Sequence, residues 1–275
     1  MRLITFCPFR ALGIPGARYL KPDLMFTQLD ALRGVDFALF PQHWQVDALD
    51  HGLGVRTFPS PATYRLGHDK VTVTRALWTV APGNVPHTII AARTEEAVAS
   101  IPDALGYPLV AKIPRGSMGS GVHLVEGPAD WRAYVAETPV LYAQERLPIR
   151  RDLRLVVIGE QVVCGYWREA PEGGFHNNVA RGAEVHHDDV PPAAVALVES
   201  IARRLGIDHA GFDVAEVGGH HYVLEFNPLF GTAGIAAAGI QIAPLILDYL
   251  HRRLAPSTPP TFPRNPDHPG LPLAG

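Results

Sequence analysis

Cysteine is scarce in this chain, which has two among its 275 residues. Cys7 and Cys164 could form one bridge at most, which excludes a disulfide framework of the kind that supports small secreted domains. No apolar run approaches the roughly eighteen residues needed to span a bilayer, and the N-terminus lacks a signal-peptide pattern. We therefore expect a cytoplasmic protein that is not inserted in a membrane.

An excess of positive charge is also missing, because 24 Lys and Arg residues stand against 27 Asp and Glu residues. The formal net charge of −3 gives no electrostatic basis for binding nucleic acid or an anionic membrane, and we expect neither as a partner. With 47% apolar and 19% charged residues, the chain suits one large domain or two to three small ones.

Short strands, single helices and hairpins alternate along the chain. Residues 1–66 hold short apolar runs between Gly- and Pro-rich connectors and predict a small α/β domain. Residues 152–169 and 211–227 each predict a strand hairpin, and residues 193–206 carry the clearest amphipathic helix pattern. Antiparallel hairpins among single helices predict an α+β class rather than a doubly wound parallel sheet.

The predicted hairpin at residues 211–227 carries the most informative polar side chains. Because side chains alternate along a strand, Glu225 and Asn227 share one face. A three-residue loop at 218–220 would set Asp213 opposite Glu225, whereas a two-residue loop would not. The same three-residue loop would send the five large apolar residues to the other face, so we predict it. Those five are Phe212, Val214, Tyr222, Leu224 and Phe226.

Two neighbouring carboxylates repel each other unless a cation or a shared proton lies between them. Oxygen ligands that include one or two carboxylates suit Mg²⁺, which completes its coordination shell with water and phosphate. The pattern therefore indicates a metal site, with an ordinary half-exposed hairpin as the alternative that this segment alone leaves open.

A glycine-rich loop, RGSMGSG, lies between two further predicted strands. Its glycines, Gly116, Gly119 and Gly121, would let backbone N–H groups converge on an anion. The loop is neither a Walker A motif nor a dinucleotide fingerprint, and a flexible hairpin tip is the alternative. Lys112 precedes it on an apolar strand, where a lysine is uncommon without an anionic partner. Lys70 is ambiguous when considered alone.

Seven short motifs follow one another in a fixed order. They are Asp69-Lys70, Tyr107 to Lys112, the glycine loop, Gln144 to Leu147, Asp152 to Arg154, Asn178 to Gly182, and Asp213 to Asn227. In order and spacing, this set resembles the ATP-grasp superfamily, and within it the RimK-type glutamate ligases. The resemblance covers residues 67–252, while residues 1–66 match less clearly.

The resemblance implies an ATP-grasp fold, in which two α+β subdomains hold ATP between them, preceded by a small α/β domain. A proline-rich tail follows. The implied ranges are 1–66 for the α/β domain, 67–146 for the central and lid subdomain, 147–254 for the C-terminal subdomain, and 255–275 for the tail.

The resemblance also implies which residues bind ATP and metal. Lys70 and Lys112 would contact the phosphates, the glycine loop would close over them, and Glu145 and the Leu147 backbone would bind adenine. The implied nucleotide site comprises Lys70, Lys112, Gly116, Ser117, Met118, Gly119, Ser120, Gly121, Gln144, Glu145, Arg146, Leu147, Asp152, Asn178 and Leu224. The implied ligands of Mg²⁺ or Mn²⁺ are Asp213, Glu225 and Asn227.

In the reaction that the family implies, a carboxylate attacks the γ-phosphate of ATP, and an amine then displaces phosphate from the acyl phosphate to form an amide. Lys112, Arg181 and Arg154 are the implied catalytic residues. Arg181 would stabilise the transferring phosphate or the tetrahedral intermediate, and Arg154 would bind a substrate carboxylate. A surface ion pair with Asp152 is the alternative for Arg154. The implied partners are small carboxylates and amines, such as amino acids or peptides, and other copies in a dimer or tetramer.

Two other functions would use the same site. An ATP-grasp kinase would phosphorylate a small molecule and release no orthophosphate. A nucleotide-binding module without turnover would bind ATP and form no ADP, although the full set of lysines, metal ligands and lid glycines argues against it.

Two segments depart from the family pattern. Relatives tend to carry Asn-Ala-Ser-Pro-Gly after the last metal ligand, where this chain has Asn-Pro-Leu-Phe-Gly at residues 227–231. The apolar pair in this segment suggests a different substrate shape. His176 stands where relatives usually have an arginine, which replaces a permanent charge by a group that titrates near neutrality. Both departures concern the substrate rather than the ATP site.

Overall fold

A computed structural model describes residues 1–116, 121–169 and 184–254 of the chain. Within these ranges the strands form three separate sheets, one wholly parallel and two antiparallel. The predicted α+β class is confirmed. None of the helices in the described ranges is long and apolar enough to cross a membrane.

The N-terminal sheet consists of short parallel strands. They are β1 (Leu3–Thr5), β2 (Ala17–Tyr19), β3 (Phe37–Leu39) and β4 (Thr57–Phe58), in the order β2-β1-β3-β4. The helices of this region are α1 (Leu29–Leu32), α2 (His43–Asp47) and α3 (Pro61–Gly67), with a 3₁₀ helix at Pro22–Thr27 and a π-helix at Ala48–Gly52. Every residue of β1 and β3 is buried, as expected for a parallel sheet covered on both faces.

The second sheet is antiparallel and carries two of the predicted site segments. Its strands are β5 (Thr88–Ala92), β6 (Leu109–Lys112), β7 (Val122–Val125) and β8 (Val140–Glu145), in the order β5-β8-β6-β7. The helices nearby are α4 (Lys70–Val80), α5 (Glu95–Leu105) and α6 (Pro128–Glu137), with a 3₁₀ turn at Pro82–Asn84. Thr94 caps α5 by accepting a hydrogen bond from the Ala97 N–H at 3.1 Å, because threonine at this position satisfies one of the free backbone donors of the first turn. The glycine loop leaves this sheet at the end of β6.

The third sheet is also antiparallel and carries the predicted metal ligands. Its strands are β9 (Arg151–Ile158), β10 (Gln161–Glu169), β11 (Glu184–His186), β12 (His209–Val217) and β13 (His220–Asn227), in the order β11-β10-β9-β12-β13. Helix α7 (Pro192–Leu205) lies between β11 and β12 in the chain, and helices α8 (Ala233–Ala237) and α9 (Ile242–Leu254) follow β13. Helix α7 ends at Gly206 in the left-handed conformation, as its sequence predicts.

The two faces of the third sheet pack against different elements. Leu153 and Leu155 of β9 point into a core shared with α4 and α7. Val156 and Ile158 point the other way, into a core shared with α9 and the N-terminal sheet. Because side chains alternate along β9, Arg154 lies on this second face. The polar site described below therefore occupies the same face of the sheet that contacts the N-terminal region.

The hairpin of β12 and β13 differs from its prediction in one respect. Asp213 pairs with Glu225, as expected, but the turn contains two residues rather than three. Gly218 and Gly219 both have positive φ, of 59° and 79°, which suits a tight two-residue hairpin turn. The predicted three-residue loop is wrong.

A β-bulge supplies the register that the turn does not. The ladder shifts between Asp213 and Val214, so that Val214 pairs with Val223 and Leu224 is the extra residue. The bulge also changes which residues enter the core: Val223 is buried, while Tyr222 and Leu224 are partly exposed. The prediction that Tyr222 and Leu224 join the core face is therefore wrong.

The buried imidazole of His209 makes stability depend on pH. Burial lowers its pKa to about 4, against about 6.5 in an unfolded chain. Between these values the unfolded chain binds a proton that the folded chain does not. The contribution of His209 to the unfolding free energy is therefore fully present above pH 6.5 and is lost as the pH drops toward 4. The loss reaches about 3 kcal/mol once the pH is below both pKa values.

Denaturant unfolding of the wild type and His209→Phe between pH 4 and pH 7 checks this expectation. The difference in unfolding free energy should change in favour of the variant as the pH falls, because phenylalanine does not titrate. Asp208 also has a pKa raised by burial, to about 6, but it is present in both proteins and cancels in the comparison. A difference that stays constant across this range would contradict the prediction.

Candidate functional site

The three predicted metal ligands lie together on β12 and β13. Asp213 pairs with Glu225, and Gly211 pairs with Asn227 two residues further along the ladder. Directly opposed residues, and residues two apart on a strand, share one face of a sheet. The Asn227 Nδ2 group donates a hydrogen bond to Glu225 Oε1 at 3.2 Å. The hairpin thus brings two carboxylates and one carboxamide onto a single patch.

Two arginines approach the buried carboxylate of Asp213. Arg154 Nε lies 2.8 Å from Asp213 Oδ1, and Arg168 Nη2 lies 2.9 Å from the same oxygen. Neither contact has hydrogen-bond geometry, and this oxygen is buried without a directed partner among the described residues. The carboxylate is therefore neutralised by the two guanidinium groups rather than by directed hydrogen bonds to Oδ1.

Arg168 was not predicted from the sequence, and it holds Asp152. Its Nε and Nη2 groups donate to the two Asp152 oxygens at 2.7 Å each. Burial and the Asp213 charge raise the pKa of Asp152, while Arg168 favours the ionised form. Arg154 pairs with Asp213 instead, so the alternative of a surface ion pair between Arg154 and Asp152 is wrong. Asp152 orients Arg168 in the structure rather than facing open solvent.

Lys112 reaches this patch from β6 of the second sheet. Its side chain is buried, with the ammonium group 3.5 Å from the Leu224 carbonyl oxygen and 5.5 Å from the centre of the Tyr142 ring. Burial lowers the pKa of the ammonium group, and the carboxylates of Glu225 and Asp213 act in the opposite direction. The lysine that the sequence singled out therefore has anionic neighbours, on a different sheet.

Lys70 is the first residue of α4 and contacts the base of the glycine loop. Its ammonium group donates to the Gly116 carbonyl oxygen at 2.6 Å, and its backbone N–H donates to Pro114 at 3.0 Å. Burial lowers the pKa of Lys70, the Glu225 charge raises it, and the Lys112 charge lowers it. Both lysines thus lie within the electrostatic range of the same carboxylate.

The other end of the glycine loop is closed by a backbone bond. The Ile113 N–H donates to the Gly121 carbonyl oxygen at 2.7 Å, and Gly121 has a φ of +79°. A Cβ atom at this position would lie 2.8 Å from the Ile113 side chain. Both the positive φ and this close approach therefore require glycine at position 121. Several predicted site residues lie outside the described residues: Ser117, Met118, Gly119, Ser120, Asn178 and Arg181, together with His176.

The segment predicted to bind adenine is held to β5 by its own side chains. Gln144 is buried and donates to Thr88 Oγ1 at 2.8 Å. The Glu145 carboxylate accepts from the His87 N–H at 2.6 Å, and its backbone N–H donates to the His87 carbonyl oxygen. Both side chains therefore form hydrogen bonds with residues at the start of β5 and help to hold β8 beside it.

The adjoining residues of this segment have different surroundings. Arg146 is exposed, and the Leu147 carbonyl oxygen accepts from the Ile149 N–H at 2.9 Å. The predictions that Glu145 and the Leu147 backbone bind adenine stay predictions.

A cavity of about 400 Å³ opens beside the start of α4. Its walls include Asp69, Arg75, Ile90, Pro114 and Val140. Neither lysine nor any of the three predicted metal ligands lines it, so it is separate from the polar patch.

Sequence comparisons identify a family. The sequence model described as RimK-like ATP-grasp domain matches residues 68–250. A probable alpha-L-glutamate ligase of Stenotrophomonas maltophilia (strain R551-3) is 31% identical over 213 residues, which cover 74% of this chain and 72% of that protein. A probable alpha-L-glutamate ligase of Sodalis glossinidius (strain morsitans) is 33% identical over 157 residues, which cover 54% of this chain and 53% of that protein.

Solved structures show the same fold. A RimK domain ATP-grasp protein from Sphaerobacter thermophilus DSM 20745 has a TM-score of 0.65 at 22% identity and covers 90% of this chain and 99% of its own. D-alanine–D-alanine ligase from Bacillus anthracis, complexed with ATP, has a TM-score of 0.65 at 17% identity and covers 86% of each chain. The ATP-grasp fold implied by the seven motifs is confirmed.

Proposed function

Because this chain belongs to the RimK-like ATP-grasp family, we propose that it is an ATP-dependent carboxylate–amine ligase acting on an amino acid or peptide. The observation that carries the proposal is the convergence of two carboxylates, one carboxamide and two lysines from four elements on one patch. Such a mixture of anionic and cationic groups serves a metal–triphosphate complex better than it serves a hydrophobic core. The protein would be cytoplasmic and a dimer or tetramer.

Asp213, Glu225 and Asn227 would hold Mg²⁺, or Mn²⁺ in its place. The Asn227 carboxamide would supply the third oxygen, since no three His, Cys, Asp or Glu side chains among the described residues are grouped so that they could hold a metal ion. Two carboxylates and an amide oxygen fit Mg²⁺, which keeps positions for water and phosphate. When bound, the ion would neutralise charge on the β- and γ-phosphates.

Lys112 and Lys70 would bind the phosphates. Lys112 is buried with its charge only partly compensated, and a phosphate oxygen would supply the missing anion. Lys70 already contacts Gly116 at the base of the glycine loop. The loop amides would add further donors to the phosphates.

Arg154 would bind the carboxylate of the substrate. In the structure it neutralises Asp213, and a cation at Asp213 would take over that task. Its guanidinium group would then be available to a second anion, while Arg168 stays on Asp152 through its two short hydrogen bonds. Arg181 would stabilise the transferring phosphate.

The reaction would proceed in two displacements. The substrate carboxylate attacks the γ-phosphate, forming an acyl phosphate and releasing ADP. The amine then attacks the acyl carbon, and orthophosphate leaves as the amide forms and the nitrogen loses a proton. No side chain is needed as a nucleophile, because the site works by positioning the reactants and neutralising charge.

Parallel assays of ADP and orthophosphate test this function. The protein is incubated with Mg²⁺ and ATP, with glutamate, other amino acids, peptides and small carboxylates offered singly and in pairs. We expect ADP and orthophosphate in equal amounts, with a product whose mass is the sum of two substrates less water. ADP without orthophosphate would indicate a kinase, and bound ATP without ADP under any mixture would indicate a module without turnover.

Gly211→Ala should lower the ligase rate about tenfold or more without unfolding the protein. Arg154 Nη1 donates to the Gly211 carbonyl oxygen at 3.1 Å, and a Cβ at position 211 would lie 2.2 Å from Nη1. The guanidinium is the flexible end of its side chain and would move away from Asp213, which removes an ordered charge contact from the reacting region.

The measurement for this variant is the rate of ADP release beside a melting curve. Gly83→Ala is the matched control, since a Cβ there meets no atom within 4 Å. Equal rates for Gly211→Ala and the wild type would show that the position of Arg154 does not matter.

A further inference from the structure

His209 holds the segment that directly follows the proposed metal ligand Asn227. His209 is the first residue of β12, and its Nδ1 atom lies 2.7 Å from the carbonyl oxygen of Pro228. Because proline has no N–H group, the backbone at this position can be held only through its carbonyl oxygen and its ring. The histidine therefore supplies a directed hydrogen bond next to the metal site.

The ring of His209 also lies at the centre of an aromatic cluster. It stacks on Phe230, with ring centres 4.6 Å apart, and meets the rings of Phe40 and Phe58 edge-on at 5.5 and 5.3 Å. Phe230 is 5% exposed, so it anchors the segment in the core and does not face a substrate. Leu229, by contrast, is 46% exposed.

The same segment is held from its other side. The Pro228 ring packs so closely on Gly67 that a Cβ atom there would lie 2.2 Å from Pro228 Cγ. Gly67 ends α3, three residues before Lys70. Arg10 donates to the Phe230 carbonyl oxygen at 3.4 Å. The backbone after Asn227 is thus packed between the start of β12 and the approach to a phosphate-binding lysine.

We propose that His209 is a positioning residue for the metal–nucleotide site, acting by donating its Nδ1–H to the Pro228 carbonyl oxygen and so fixing the backbone that carries Asn227. This inference rests on the proposed function, because it concerns the same metal. Only a donor can satisfy a carbonyl oxygen, so the neutral ring carries its proton on Nδ1. Burial lowers the pKa of His209 to about 4, and the ring is neutral at the pH of an ordinary assay.

Two substitutions separate the hydrogen bond from the packing. His209→Phe keeps an aromatic ring of similar size and removes the donor, while His209→Asn keeps an N–H near the position of Nδ1 and removes the ring. The probe is ATP itself, whose dissociation constant is measured with and without Mg²⁺ by calorimetry on the full chain. A melting curve is recorded for each protein.

For the wild type, we expect Mg²⁺ to strengthen ATP binding. For His209→Phe, we expect that enhancement to shrink about tenfold, with the metal-free dissociation constant unchanged. For His209→Asn, we expect the enhancement to stay within about threefold of the wild type, although the melting temperature falls further because the ring is lost. If His209 served only packing, His209→Asn, which lacks the ring, would lose more of the Mg²⁺ enhancement than His209→Phe, which keeps an aromatic ring.

Two more variants keep the test decisive. Phe58→Leu disturbs the same aromatic cluster without removing the hydrogen bond, and it should lower the melting temperature and keep the enhancement. His209→Gln, whose amide reaches the position of Nε2 rather than Nδ1, should lose the enhancement as His209→Phe does, and it replaces that variant if that one fails to fold.

The possible failures of the two proposals are distinguishable. Equal enhancement in the wild type, His209→Phe and His209→Gln, the last two of which have no donor at the Nδ1 position, would overturn the role of His209 while leaving the ligase proposal intact. A loss of enhancement in His209→Asn as large as that in His209→Phe would overturn it as well. A wild type whose ATP binding does not respond to Mg²⁺ would instead count against the metal site itself.

Discussion

Replacing Glu225 by glutamine should reduce the ligase rate by about three orders of magnitude or more and leave the fold almost unchanged. Glu225 is partly exposed, and its carboxylate meets Asn227 and the charges of Lys70 and Lys112 rather than the core. Glutamine has nearly the same shape and still accepts the hydrogen bond from Asn227. What it lacks is the negative charge that a divalent cation requires.

The measurement is ADP release with the substrates identified by screening, together with a melting curve. Glu216→Gln on β12 is the matched control, because Glu216 is an exposed carboxylate of the same hairpin that lies 3.7 Å from His221. We expect this control to keep its rate. Normal turnover in Glu225→Gln would remove Glu225 from the metal site, and loss of the folded state would show that its role is structural.

The local structure of the chain was largely accessible from its sequence. Alternation of apolar side chains predicts both hairpins of the third sheet, and the stripe on α7 with Gly206 at its end predicts that helix. These features depend on residues near one another in the chain. The predicted domain boundaries at 66/67 and 146/147 stay predictions.

Two β-bulges explain what local reasoning missed. A strict two-residue turn between β9 and β10 would set Asp152 opposite Trp167, but the ladder shifts between Val162 and Cys164 and sets it opposite Arg168. Arg168 thereby reaches the polar face and contacts Asp213. A bulge leaves no clear mark in a single sequence, because it is chosen by packing on both faces of the sheet.

Some contacts between distant segments could be predicted only through the family resemblance, and others could not be predicted at all. The approach of Lys112 to Glu225 joins two sheets, and nothing in the spacing of these residues predicts it. The stacking of His209 on Phe230, and the short contact of Gly67 with Pro228, had no visible signal either. Such contacts are set by how the elements pack, which alternation and capping patterns do not specify.

Lys112→Met should weaken ATP binding about a hundredfold, and the unfolding free energy of the ligand-free protein should not fall. Methionine keeps an unbranched apolar side chain against Tyr142, so packing is largely preserved. Burial lowers the pKa of Lys112, which means that the folded protein holds the charged form at a cost that Glu225 and Asp213 do not fully offset. Removing the charge removes that cost, which raises the unfolding free energy. It also leaves the two carboxylates with one cation fewer, which lowers the unfolding free energy, so the two effects oppose each other.

Calorimetric titration with ATP and denaturant unfolding measure the two quantities separately. Lys21→Met, at a lysine whose side chain is 61% exposed, is the control for loss of one positive charge and should leave ATP affinity unchanged. Unchanged affinity in Lys112→Met would remove Lys112 from the phosphate site. A large loss of stability would show that its ammonium group serves the fold. The expected combination, weaker binding without weaker folding, is what distinguishes a buried charge kept for a ligand from one kept for the core, because only the ligand completes its pairing.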